Sequence, residues 1–175
     1  MTGKLLALLL LTSAVLAGGG MYYMQVHGFY YDVVAQPGED VVLLGTGADA
    51  PEPITYTAFQ AIDADSSPIR YRACFETDLT AADLSAYQPV ENAEPLTAPG
   101  WFECYDAVAI AEALKSGQAQ AFMGTKNIHF GVDRIVAVTK DGKGYVWHAL
   151  NNCGEKAYDG TVVGEECPLR PAAAQ

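Results

Sequence analysis

From Leu5 to Met24 the chain reads LLALLLLTSAVLAGGGMYYM, 20 residues without a charge, and the uncharged stretch runs on to Tyr31. That is about the length of a helix that crosses the hydrocarbon of a bilayer. Beyond it, residues 32–53 place Pro37, Gly38, Gly45, Gly47, Pro51 and Pro53 around the short apolar run Val41 to Leu44. Such punctuation reads as a linker carrying one candidate strand. From Ile54 the pattern turns regular. Ile54 to Ile62 alternates with Ile54, Tyr56 and Ala58 on one side, and Ile69 to Phe75 sets Ile69, Tyr71, Ala73 and Phe75 against Arg70, Arg72 and Cys74. Period-2 alternation predicts two strands.

Thr80 followed three residues later by Asp83 predicts a helix start and a short helix ending before Pro89. Pro89 to Gly100 reads as loop, and Trp101 to Tyr105 as a short strand or turn. Asp106 caps a helix over Ala107 to Ser116 that Gly117 stops, and Gln118 to Met123 is a strand candidate. Arg134 to Lys140 and Lys143 to Leu150 form a hairpin across Asp141-Gly142, a pair suited to a type I′ turn. Together these predict an α+β domain with an antiparallel sheet of about five strands, one main helix and a C-terminal loop at its edge. A length of 175 residues allows one such domain plus an appendage. The expected division is a cytoplasmic stub and transmembrane helix over 1–31, a linker over 32–53 and an exported domain over 54–175.

Lys4 is the fixed positive charge before the span, while Asp32, Glu39 and Asp40 follow it, which places the N-terminus in the cytoplasm. Tyr22, Tyr23, Phe29, Tyr30 and Tyr31 cluster at the exit as an aromatic belt would. A cleavable signal peptide competes, with Val15-Leu16-Ala17 as the small-residue cleavage site. Against it, apolar and aromatic spacing of 3 and 4 continues from Tyr22 to Tyr30, as in one unbroken helix. Ala14 and Gly18 form a small-xxx-small pair, a pattern that permits close helix approach and is also common in spans that pair with nothing.

With 10 Lys and Arg against 21 Asp and Glu, the net charge is -11. Nucleic-acid binding needs clustered cations and is excluded as an expectation. Cys74, Cys104, Cys153 and Cys167 all lie beyond the span, and four cysteines in an exported chain read as two disulfides with three alternative pairings. Cys74 with Cys104 and Cys153 with Cys167 is the favoured set, because the second pair closes a polar loop with little apolar content of its own. A zinc or redox site is the alternative, but neither CxxC nor HExxH spacing occurs.

Chemistry is sparsely signalled. No serine sits in a GxSxG context that would complete a triad with His129 or His148. Asp63 and Asp65 lie in a turn-like DADSSP segment without an EF-hand pattern, and GTKNIHFG lacks nucleotide-loop spacing. Neither a cofactor, a metal nor a nucleotide is expected. Arg70 and Arg72 share a strand face, where they either stay solvated or meet an anionic ligand together with His129. Tyr145, Trp147, His148, Asn151, Asn152 and Tyr158 gather aromatic and amide groups near a cysteine, a composition that suits an interaction surface and equally a core with its turn.

The segments MYYMQVHGFYYDVV, AIDADSSPIRYRACF, APGWFECYDA and WHALNNCGEKAYDGT resemble an uncharacterised alphaproteobacterial family, a domain of unknown function with one N-terminal span. The resemblance implies a membrane-anchored envelope protein and supplies no activity. The resulting expectation is a single-span inner-membrane protein, held by residues 5–24, whose periplasmic domain binds another envelope protein as an accessory or assembly factor without catalysis. The alternative is a small periplasmic hydrolase or ligand-sensing domain using His148 or His129 with Arg70 and Arg72.

Overall fold

Residues 3–169 are described by a computed structural model. The uncharged N-terminal run forms helix α1 (Gly3–Tyr23), which widens into a π-helical turn over Met24–Gly28 and buries none of its residues. It is apolar and long enough to cross a membrane, a criterion that a signal sequence also meets. The chain then passes directly into β1 (Tyr31–Asp32), an edge strand of the main sheet.

That sheet has six antiparallel strands in the order β1-β4-β5-β8-β7-β6, with β4 Thr57–Asp63, β5 Arg72–Glu76, β6 Ala119–His129, β7 Val132–Thr139 and β8 Lys143–Leu150. A small second sheet pairs β2 (Val42–Leu44) with β3 (Pro51–Pro53). Helix α2 (Ala81–Leu84) starts at Thr80, where the Thr80 and Asp83 side chains satisfy each other's backbone N–H groups. Helix α3 (Ala107–Lys115) starts at Asp106, whose carboxylate accepts from Val108 and Ala109, and is followed by Gly117 at a φ of +69°.

The central strands are covered on both faces. One core holds Val41, Leu43, Tyr71, Phe75, Phe122 and Val136. The other, beneath α3, holds Cys74, Phe102, Tyr105, Ile110, Ile135 and Trp147. Adjacent residues of one strand, such as Ile135 and Val136, therefore enter different cores, as the strand period of two requires. Residues 32–53 depart from the expected linker: β2 forms, but Val41 and Leu43 are fully buried and belong to the domain. Their burial follows from the need to cover the sheet face that α3 leaves bare.

The β7–β8 hairpin forms, with a different turn. Gly142 alone takes a positive φ, and its N–H bonds to Thr139 at 3.0 Å, so a type I turn with a left-handed glycine replaces the expected type I′. Thr139 Oγ1 fixes the turn by accepting from the Lys143 N–H at 3.0 Å. Strand β6 runs further than expected, through Gly124 to His129, and Trp101–Tyr105 is turn rather than strand. Both favoured cysteine pairs are joined: Cys74–Cys104 ties β5 to the segment before α3, and Cys153–Cys167 closes the C-terminal loop.

Gly144 on β8 packs its backbone against the Phe75 ring, and a Cβ there would lie 2.0 Å from the ring carbon. Gly144→Ala is expected to destabilise the domain by about 3 kcal/mol, in the range of core overpacking, read as a lowered urea midpoint with an unchanged slope.

Candidate functional site

Two polar constellations stand out, one inside the domain and one where the helix meets it. The first is built on the sheet face opposite α3. His148 on β8 is only 1% exposed and stacks on Tyr71 with ring centroids 4.8 Å apart. Its Nδ1 lies 2.8 Å from the Pro68 carbonyl, and its Nε2 accepts from Arg134 Nε at 3.1 Å. These partners fix the tautomer: Nδ1 carries the proton and Nε2 the lone pair. Burial, with the neighbouring Arg134 charge in support, brings the imidazole down to about 4, so it is neutral at physiological pH.

Arg134 is shared further. Its guanidinium lies 4.4 Å from the Tyr71 ring centroid and donates to the Asp40 carbonyl at 3.1 Å. The Asp40 carboxylate accepts from Tyr56 Oη at 2.9 Å and from the Gln36 N–H. Burial and that carboxylate push the Tyr56 hydroxyl up to about 12. The network thus pins residues 36–40 to the sheet. His129 is exposed, with its ring centroid 5.7 Å from that of His148. A base at His148 would have to break one of its two hydrogen bonds before it could accept a proton.

The expected arginine pair is split. Arg72 is 4% exposed, not solvated, because β5 is a central strand with a layer on each face. Its guanidinium donates to the carbonyls of Leu96 (2.8 Å), Ile69 (2.8 Å), Tyr71 (2.6 Å) and Thr97 (3.1 Å), which latches the 96–97 segment onto the sheet. Arg70 instead faces the helix exit, where it lies 5.4 Å from the Tyr30 ring centroid and donates to the Gln25 carbonyl at 3.2 Å.

Arg70 belongs to the second constellation, a collar around the end of the apolar helix. The indole N–H of Trp101 donates to the Val26 carbonyl at 2.7 Å, and its ring stacks on His27 with centroids 6.0 Å apart and meets Tyr30 edge-on at 5.9 Å. The carbonyls at a helix C-terminus lack intrahelical partners and carry partial negative charge, so a cation and an indole donor are suitable caps. Sequence reasoning missed Trp101 and Arg134, since nothing local marks a residue whose partner lies 75 or 94 positions away.

The aromatic and amide group near Cys153 does not form one surface. Trp147 is fully buried and faces the core under α3, whereas His148 faces the opposite core. Tyr145 is half-buried edge-on against Tyr105. Asn151 Nδ2 donates to Asp133 (2.7 Å) and Asn127 (2.9 Å), while Asn152 and Tyr158 are exposed. The core reading holds for the first two residues because alternation on a doubly covered strand buries both.

The profile of a family of unknown function, DUF6446, matches residues 41–168. The chain belongs to this family. No curated protein and no solved structure matches it. The matched range of this DUF6446 member opens at Val41, the first buried hydrophobic residue leading into β2, and closes one residue after Cys167. Among the described residues of the DUF6446 chain, no group of three or more His, Cys, Asp and Glu is placed to hold a metal ion.

A buried neutral His148 makes stability pH-dependent. Because unfolding restores the ordinary imidazole affinity, the unfolded chain binds more protons between about 6.5 and about 4. The stabilisation is complete above pH 6.5 and is lost as pH falls towards 4, for a total on the order of 3 kcal/mol. Asp63, which burial raises above the usual carboxylate range, acts in the opposite sense at the acid end. Urea midpoints should therefore fall between pH 7 and pH 5 in the native protein and fall clearly less in His148→Gln.

Proposed function

We propose that this DUF6446 member is a single-span protein of the inner membrane, with a cytoplasmic N-terminus and a periplasmic domain that docks another envelope protein and performs no chemistry itself. The observation that carries this reading is one apolar helix, continuous from Gly3 to Gly28 across the candidate cleavage point, that ends in a collar built by the domain. Arg70 and Trp101, from two separate loops of the domain, are both used to hold the last turn of the apolar helix. The gripped residues, Gln25 to Tyr30, lie beyond a cut after Ala17, so the collar ties the helix exit to the domain, while retention of the span is supported by the unbroken helix that runs through that point. The helix surface itself has no cover within the chain, as suits a helix solvated by lipid. The two disulfides fit an oxidising compartment.

The hydrolase or sensor alternative draws less support. His148 has both ring nitrogens engaged, Arg72 is spent on four carbonyls and Arg70 on the helix end. None of these three, nor His129, lines either of two clefts of about 660 and 610 Å³.

Intact mass of the protein extracted from membranes tests the anchor. The expected mass includes residues 1–31, with all four cysteines protected from alkylation until reductant is added, and a C-terminal alkaline phosphatase fusion should be active. An N-terminus at Gly18 would overturn the anchor, and four free thiols with an inactive fusion would overturn the periplasmic placement. Loss of the collar through Arg70→Ala with Trp101→Ala is expected to leave the fold intact and to expose the 25–30 segment to protease.

A further inference from the structure

On the α3 side of the sheet, beyond the end of that helix's cover, the segment 90–96 stands away from β7 and β8 and leaves the cleft of about 660 Å³. Its floor is apolar: Met123, Ile135 and Trp147. Its walls carry four carboxylates, Glu91, Glu94, Asp133 and Glu165, and no Lys, Arg or His. Glu165 is paired with Lys126 at 3.0 Å, whereas neither Glu91 nor Glu94 is in an ion pair among the described residues. Asp133 is mostly buried and held rigid, with Oδ1 accepting from the Asn127 N–H and from Asn151 Nδ2, both at 2.7 Å. An independent observation concerns Trp147. It is fully buried in the floor, and its indole N–H has no acceptor. A buried donor of this kind costs free energy until something supplies an acceptor.

We propose that this cleft binds a basic extended segment of a partner protein, a Lys or Arg side chain laying its apolar stem on Met123, Ile135 and Trp147 and its cationic head among Glu91, Glu94 and Asp133. Long cationic side chains suit such a site because stem and head want different surroundings. A backbone carbonyl of the same segment is the acceptor that the Trp147 N–H needs, and Leu150, 72% exposed at the mouth, gives the flanking residues an apolar surface to cover. Charge complementarity selects the partner: the chain carries -11 overall, and a second copy would bring like charge to the cleft. The inference rests on the docking-domain reading and names the chemistry of its partner.

The test uses the full chain in nanodiscs of zwitterionic lipid and the short peptide Ser-Lys-Leu-Lys-Ser, titrated calorimetrically. The peptide is expected to bind, Glu91→Gln with Glu94→Gln to weaken it by about tenfold, and the exposed off-site pair Glu39→Gln with Asp78→Asn to leave affinity within about twofold. Absence of binding overturns the proposal. So does equal weakening by both double variants, which would mark diffuse attraction to an acidic protein, and so does displacement of the peptide by equimolar spermine, which would mark a site for small polyamines. Photo-crosslinking in cells separates this inference from the reading beneath it. A co-purifying partner that crosslinks from position 78 and not from position 94 overturns the cleft and leaves the docking reading standing. Peptide binding as expected in a protein that crosslinks to and co-purifies with nothing overturns the docking reading, and with it the partner assigned to the cleft.

Discussion

Strands β5, β8 and β7 carry apolar side chains on both faces, and both faces must be removed from water for the sheet to be stable. A single nine-residue helix cannot cover two sides of a six-stranded sheet. The chain solves this with segments that look irregular in isolation. Residues 40–56 close one face with Val41, Leu43 and Ile54, and residues 90–106 close the other with Phe102 and Tyr105 beside α3. Each cover needs a fastening because it makes few backbone hydrogen bonds of its own. Arg134 fastens the first through the Asp40 carbonyl, and Arg72 with the Cys74–Cys104 disulfide fastens the second. A buried Arg72 and a half-buried Arg134 bonded to carbonyls, with a stacked neutral histidine, are thus consequences of the double burial.

The same logic extends to the helix. Segment 90–106 presents Trp101 at its outer end, and the turn after β4 presents Arg70, so the elements that cover and connect the sheet also grip the exit of α1. Domain and helix are joined by hydrogen bonds and ring contacts where the residue composition had promised a spacer. Arg70 at the helix exit and Arg72 in the sheet lie two residues apart, and Arg72 also donates to the carbonyl of Ile69, the residue before Arg70.

How much was legible follows from the range of the interactions. The capping of α2 and α3 by Thr80 and Asp106, the glycine after α3 and the reversal between β7 and β8 rest on contacts within four residues, and the sequence displays them directly. The turn type was not legible, because Asp-Gly supports both a two-residue and a three-residue loop and the Thr139 side chain decided between them. Residues 32–53 read as linker because Gly and Pro punctuate them, while their burial depends on strands far along the chain. Arg72 and His148 were open to misreading for one reason: alternation says that two residues face opposite ways and cannot say whether both ways lead inward.

The sequence by itself determined the apolar N-terminal helix, the α+β composition, the acidic charge and the even cysteine count, since these are properties of local pattern and composition. Only the tertiary structure decided that Arg72, Trp147 and His148 are interior, that Arg70 and Trp101 clasp the helix end, and that Glu91, Glu94 and Asp133 share one cleft. Those outcomes depend on which strands lie in the middle of the sheet and what is laid across them. That is fixed by packing among residues dozens of positions apart, where chain order carries no local trace.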